Sequence, residues 1–117
     1  MRGWSVVLVC GGLLAGTVGC SGTGATDAQV LMTGELRFEP TTVEIPAGGS
    51  VTWRNDGQRP HTVTAIDRDR QPTGDFDSGE IIGTGTFTHT FQAAGTYVYH
   101  CEFHGRSEMV GIVEVTP

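Results

Sequence analysis

From Val30 onward the chain alternates apolar and polar residues in short runs: VLMTGELRF, TVEI, SVTW, HTVTAI, TFTHTF, TYVYHC and GIVEV. A period of two sends successive side chains to opposite faces of a pleated strand, so each run reads as a half-buried strand. Turn residues separate the runs. Pro46-Ala-Gly-Gly49 and Asn55-Asp-Gly57 are tight turns, where glycine and asparagine accept positive φ. No stretch keeps a helical period for three turns, although a single helical turn fits within residues 67–83. About seven to eight strands at this spacing predict an all-β fold, an antiparallel Greek-key β-sandwich. The predicted core is Phe38, Val43, Ile45, Trp53, Phe91, Tyr97, Tyr99, Val113 and Val115, with Trp53 as its anchor.

The N-terminal residues follow another pattern. Residues 1–19 carry Arg2 and then an apolar run broken by glycines, too short for a comfortable membrane span and typical of an export signal. The run ends in TVGC, which resembles a bacterial lipoprotein cleavage box and marks Cys20 as the predicted lipidation site. A plain secretory peptide or an uncleaved anchor are the alternatives. Residues 20–29 then read as a flexible polar tether, and 30–117 as one domain. The domain is expected to work outside the cytoplasm, in the periplasm or at the cell surface, held to the membrane through Cys20.

Charge and cysteine count narrow the function. A formal charge of −6 argues against nucleic acid as a partner and permits a basic protein partner. A chain of 117 residues, less a leader, makes one small domain, expected to be a monomer. Three cysteines are an odd count for a disulfide framework, and Cys10 and Cys20 both belong to the leader. Cys101 is then a lone thiol in an exported domain, either a metal ligand or an inert buried residue.

The surroundings of Cys101 favour the metal. The segment 97–115, YVYHCEFHGRSEMVGIVEV, sets Cys101, His104 and Met109 at C-x2-H-x4-M. Soft thiolate and thioether donors select copper over magnesium, calcium or manganese, and a blue-copper site takes one Cys, two His and a weak axial Met. The fourth ligand is expected upstream, at His61 in NDGQRPHTVT. Tyr97, Tyr99 and Cys101 share one strand face, taken as the inward one, and His100 faces the other way. His100 lies either on a through-bond route from thiolate to surface or simply in solvent. His89 is expected to point outward, with at most a structural role. Glu102 and Glu108 flank the ligands, where their charge is expected to lower the reduction potential. The acidic residues of 67–83 lack the calcium-loop spacing D-x-[DN]-x-[DN]-G, so that segment reads as a solvated loop.

Three blocks carry a family resemblance: FEPTTVEIPAGGSVTWRND, PHTVTAID and GTFTHTFQAAGTYVYHCEFHGRSEMVGIVEV. Over residues 36–115 the chain resembles the cupredoxins, small type 1 copper proteins of the plastocyanin and amicyanin group. Its His-to-Met spacing is closer to plastocyanin. The resemblance implies one Cu(I)/Cu(II) ion on His61, Cys101, His104 and Met109. It also implies an extracytoplasmic carrier of single electrons between redox partners such as a cytochrome or a membrane complex. The edge of His104, between Phe103 and Gly105, is the expected exit for the electron. Two positions depart from the group: Thr62 stands where Asn often follows the first histidine, and Phe103 where Pro often precedes the second. Copper delivery with incidental redox is the alternative function. An enzyme is not expected, because the C-x3-C of a binuclear centre and the extra His-x-His motifs of multicopper oxidases are missing. An immunoglobulin-like adhesion module is the reading without a metal.

Overall fold

Alternating side chains become two facing sheets in the computed structural model, which describes residues 26–104 and 109–117. The export signal, Cys20 and the tether as far as residue 25 lie outside the described residues. Nine strands follow in order among the described residues: β1 (Asp27–Met32), β2 (Phe38–Glu39), β3 (Thr42–Pro46), β4 (Ser50–Asn55), β5 (Thr64–Ile66), β6 (Pro72–Asp77), β7 (Thr86–Thr90), β8 (Gly95–His100) and β9 (Val110–Thr116). One sheet has the order β3-β9-β8-β5-β6 and the other β2-β1-β4-β7. No helix occurs among the described residues.

The sandwich differs from the expectation in four places. First, it is mixed and not purely antiparallel: β3 runs parallel to β9, with Val43 opposite Val113, and β1 runs parallel to β4, with Val30 opposite Trp53. Both pairs join strands that are not hairpin neighbours, and only a tight hairpin forces adjacent strands to reverse. Second, β1 begins at Asp27, inside the expected tether, because Ala28 faces Val51 in the β1–β4 register and packs against the core. Third, residues 67–83 are neither a plain loop nor a helical turn. They contain the edge strand β6, whose single apolar residue, Phe76, is buried, and beyond it Ile81 is buried too. Pro72 opens that strand, a position where an edge tolerates the missing N–H. Fourth, His89 turns inward, its ring centroid 4.7 Å from that of Phe91 and 5.0 Å from that of Phe76. Residues 87, 89 and 91 share a parity and therefore a face, so His89 goes where the two phenylalanines go.

The core sits between the sheets around Trp53, whose ring lies 5.3 Å from Tyr99, 5.7 Å from Phe87 and 5.9 Å from Phe76. Every predicted core residue is buried except Tyr97, which packs against the core from its margin and donates its hydroxyl to the Ala93 carbonyl at 2.7 Å. Tyr99 lies flat over Gly111, its register partner on β9, where any Cβ would collide with the ring. That packing fixes β8, and the strand delivers Cys101 at its end.

Candidate metal centre

His61 is placed by its backbone before its side chain does anything. It forms an isolated antiparallel bridge with Ile81, N–H to carbonyl in both directions at 3.1 and 2.8 Å. The turn leading to it is held by Asn55, the last residue of β4 and fully buried. Asn55 Nδ2 donates to the carbonyls of Arg59 and Ile81 at 2.7 and 3.0 Å, and its Oδ1 accepts the Gly57 N–H at 3.2 Å. Gly57 has φ of 96°, which glycine adopts at little cost. The His61 ring is fully buried, with Nε2 3.0 Å from the Thr33 carbonyl. A carbonyl can only accept, so Nε2 carries the proton and Nδ1 keeps a lone pair. That Nδ1 faces Cys101 Sγ at 3.8 Å.

Cys101 is fully buried, and its sulfur gathers two further contacts. The Thr62 N–H points at Sγ from 3.3 Å, and His104 Nδ1 lies 3.4 Å away. The Cys101 N–H donates to the Met109 carbonyl at 3.1 Å, which brings fully buried Met109 beside it. His104 follows through a turn, its N–H bonded to the Cys101 carbonyl at 3.1 Å. The ligand atoms of His61, Cys101 and His104 all lie within 4.8 Å of one another, and the two imidazole rings meet edge-on at 5.2 Å.

Electrostatics suit a cation. Burial is the main cause that lowers the pKa of His61, opposed by the Thr33 carbonyl and reinforced by His104. His104 is lowered by burial and then by the Arg59 charge. Both rings therefore favour the neutral form, which has a lone pair to give. Two imidazoles and a buried thiol are donors copper prefers, and buried Met109, bonded to Cys101 through its backbone, has a thioether to add, so the residues fit that metal.

The structure thus brings together the three strongest candidates, sets Met109 next to them, and leaves His100 outside. His100 sits on the opposite face of β8, half-buried, with its Nδ1 enclosed and without a hydrogen-bond partner among the described residues. Thr62, one of the two departures, has a clear task. Its backbone N–H meets the sulfur, and its Oγ1 accepts the Glu102 N–H at 2.8 Å, tying the two ligand segments together. Phe103, the other departure, is exposed beside His104. Glu108 and Gly105 lie outside the described residues. Thr33, Asn55 and Ile81 complete the site; sequence reasoning placed Asn55 only in a turn and passed over the other two.

Comparison with known proteins agrees with this geometry. The family described as copper binding proteins, plastocyanin/azurin family, matches residues 25–116. Chloroplastic plastocyanin of Tetradesmus obliquus is 41% identical over 88 residues, covering 70% of this chain and 60% of its own length. Plastocyanin of Scenedesmus fuscus is 36% identical over 90 residues, covering 70% of this chain and 89% of its own length. The solved structure of a purple cupredoxin from Nitrosopumilus maritimus matches with a TM-score of 0.70 at 33% identity, over 76% of this chain and 99% of that one.

Proposed function

This chain belongs to the plastocyanin/azurin family of copper binding proteins, and from that premise we infer that it carries single electrons between redox partner proteins. The observation that carries the reading is the convergence of His61 Nδ1, His104 Nδ1 and Cys101 Sγ at a place held by hydrogen bonds of the protein itself. His61, Cys101, His104 and Met109 are the proposed ligands. Once bound, one type 1 copper supplies a one-electron Cu(I)/Cu(II) couple.

The protein's part is to hold those donors still. Thr33 orients the His61 ring, the Ile81 bridge fixes its backbone, and the Thr62 N–H shares the sulfur's electron density. Donors braced in this way need not move when the charge at the site changes, which suits rapid exchange. Of the three converging side chains only His104 is incompletely buried, and exposed Phe103 stands beside it, so the electron is proposed to pass at that edge. A carrier of this kind is not an enzyme and works as a monomer outside the cytoplasm. Lipid attachment at Cys20 is part of the proposal and is tested by mass spectrometry of the native N-terminus.

The deciding experiment is the absorption and EPR spectrum of the copper-loaded protein. An intense thiolate-to-copper band is expected, lost in Cys101→Ser while the circular dichroism of the sandwich stays. A variant that remains blue would overturn the site. Reversible voltammetry without copper loss supports a carrier; copper that leaves on reduction or passes to an apo-acceptor supports delivery.

A further inference from the structure

A line of hydroxyls crosses the five-stranded sheet away from the metal centre. The Glu102 N–H donates to Thr62 Oγ1 at 2.8 Å, Thr62 Oγ1 lies 3.0 Å from Thr64 Oγ1, and Thr64 Oγ1 lies 3.2 Å from Asp77 Oδ1. The two threonines are buried and Asp77 is exposed on edge strand β6. The fold accounts for the line. Residues 62 and 64 are two apart and share a face, and Thr64 stands directly opposite Asp77 in the β5–β6 register.

Counting protons fixes its direction. Each hydroxyl has one proton, and an ionised carboxylate has none to give. Thr64 must therefore donate to Asp77, which leaves its oxygen to accept from Thr62. Thr62 has then spent its proton, and its oxygen is left to accept from the Glu102 N–H. Every link points the same way, from the peptide after Cys101 outward to the carboxylate, and such a chain strengthens itself by polarisation. The far end matters because Thr62 also aims its own N–H at Cys101 Sγ from 3.3 Å.

We propose that Asp77 is a positioning residue for the metal centre: acting through Thr64 and Thr62, it locks the peptide between Cys101 and Glu102 and holds the Thr62 N–H on the sulfur, thereby setting the site's reduction potential from the exposed edge of the sheet. The effect on potential rests on the copper electron-transfer reading; the effect on the peptide does not. The Gly79 N–H donates to the same Asp77 oxygen at 3.0 Å. An Asn at this position therefore keeps a carbonyl oxygen there, losing the charge and retaining the relay.

Four variants separate relay from charge. In the metal-free protein, Thr64→Val and Asp77→Ala are expected to speed hydrogen exchange of the Glu102 amide by about tenfold, roughly the loss of one net hydrogen bond. Thr64→Ser and Asp77→Asn are expected to exchange like the parent. In the copper-loaded protein at high salt, where an exposed charge is screened, Thr64→Val lowers the potential and shifts the thiolate–copper band. This follows because a sulfur that loses its N–H donor favours the oxidised ion. Thr64→Ser restores both. Parent-like Glu102 exchange in Thr64→Val overturns the relay, and parent-like exchange in Asp77→Ala alone removes Asp77 from it. Faster exchange with an unmoved potential confines Asp77 to the backbone and overturns its role in the couple. A parent protein with no blue band sinks the copper reading only, and the exchange pattern still decides the position of Asp77.

Discussion

His61 and His104 offer the same ring atom to the same sulfur, 3.8 and 3.4 Å away, from opposite circumstances. His61 is sealed in: its second nitrogen is bonded to Thr33, its backbone is bridged to Ile81, and the turn before it hangs on Asn55. His104 is half-open and stands next to an exposed phenylalanine. If His104 is the exit proposed above, the pair divides two demands that one residue cannot meet, since an anchor must be enclosed and an exit must be reachable. The asymmetry belongs to the polypeptide, and it should be measurable without metal.

The largest expected effect lies in replacing each histidine with alanine in the metal-free protein. His61→Ala opens a cavity and strands the Thr33 carbonyl, a loss of about 2–4 kcal/mol. His104→Ala should cost less than about 1 kcal/mol, as substitutions near the surface do. Urea unfolding of both variants decides it, and equal losses would break the comparison. Next comes Asn55→Ala, which leaves the carbonyls of Arg59 and Ile81 without their side-chain donor. We expect a loss of about 2 kcal/mol, together with weaker copper binding.

The third test is pH. All four histidines have pKa values below the ordinary 6.5, in each case chiefly through burial. Below that value the unfolded chain binds more protons than the folded one. The stability of the metal-free protein is therefore full above pH 6.5 and falls as the pH drops through the depressed folded values. His61→Gln should flatten this fall more than His104→Gln does, which unfolding curves at several pH values can read. The smallest effect on stability belongs to Phe103→Ala, within about 0.5 kcal/mol. The blue spectrum should survive there while electron exchange with a partner protein slows; an unchanged rate would mean that the exit lies elsewhere.

What the sequence disclosed follows from how local each feature is. C-x2-H-x4-M is visible because Cys101, His104 and Met109 lie along nine residues, and His61 could be found because its chemistry completes the set. Thr33 and Ile81 could not be found in that way, since they act through main-chain carbonyls that every residue possesses. Asn55 looked like a turn residue and is one, but its side chain also reaches across to Ile81, 26 positions away. In the fold, two-sided alternation exposed the central strands. β6 stayed hidden because an edge strand buries only Phe76 and looks like a charged loop. His89 was expected to point outward, although its parity with Phe87 and Phe91 gives the inward direction that the structure shows. The parallel pairs were not readable, because no turn motif records which distant strands become neighbours.

The direction of β1 has a further consequence for how the molecule is moored. The strand enters at Asp27 and climbs about 20 Å over its six residues. Its far end gives way at once to Thr33, whose carbonyl grips His61. The point of entry and the proposed electron exit at His104 therefore lie at opposite poles, with β1 as the strut between them. Should a lipid at Cys20 fasten the chain to a bilayer, the sandwich would stand on its entry pole with His104 at the outer tip. A soluble partner would meet that tip head-on. A partner embedded in the same membrane would need a tall extramembrane domain to reach it, or a tether long enough to let the whole sandwich tip over.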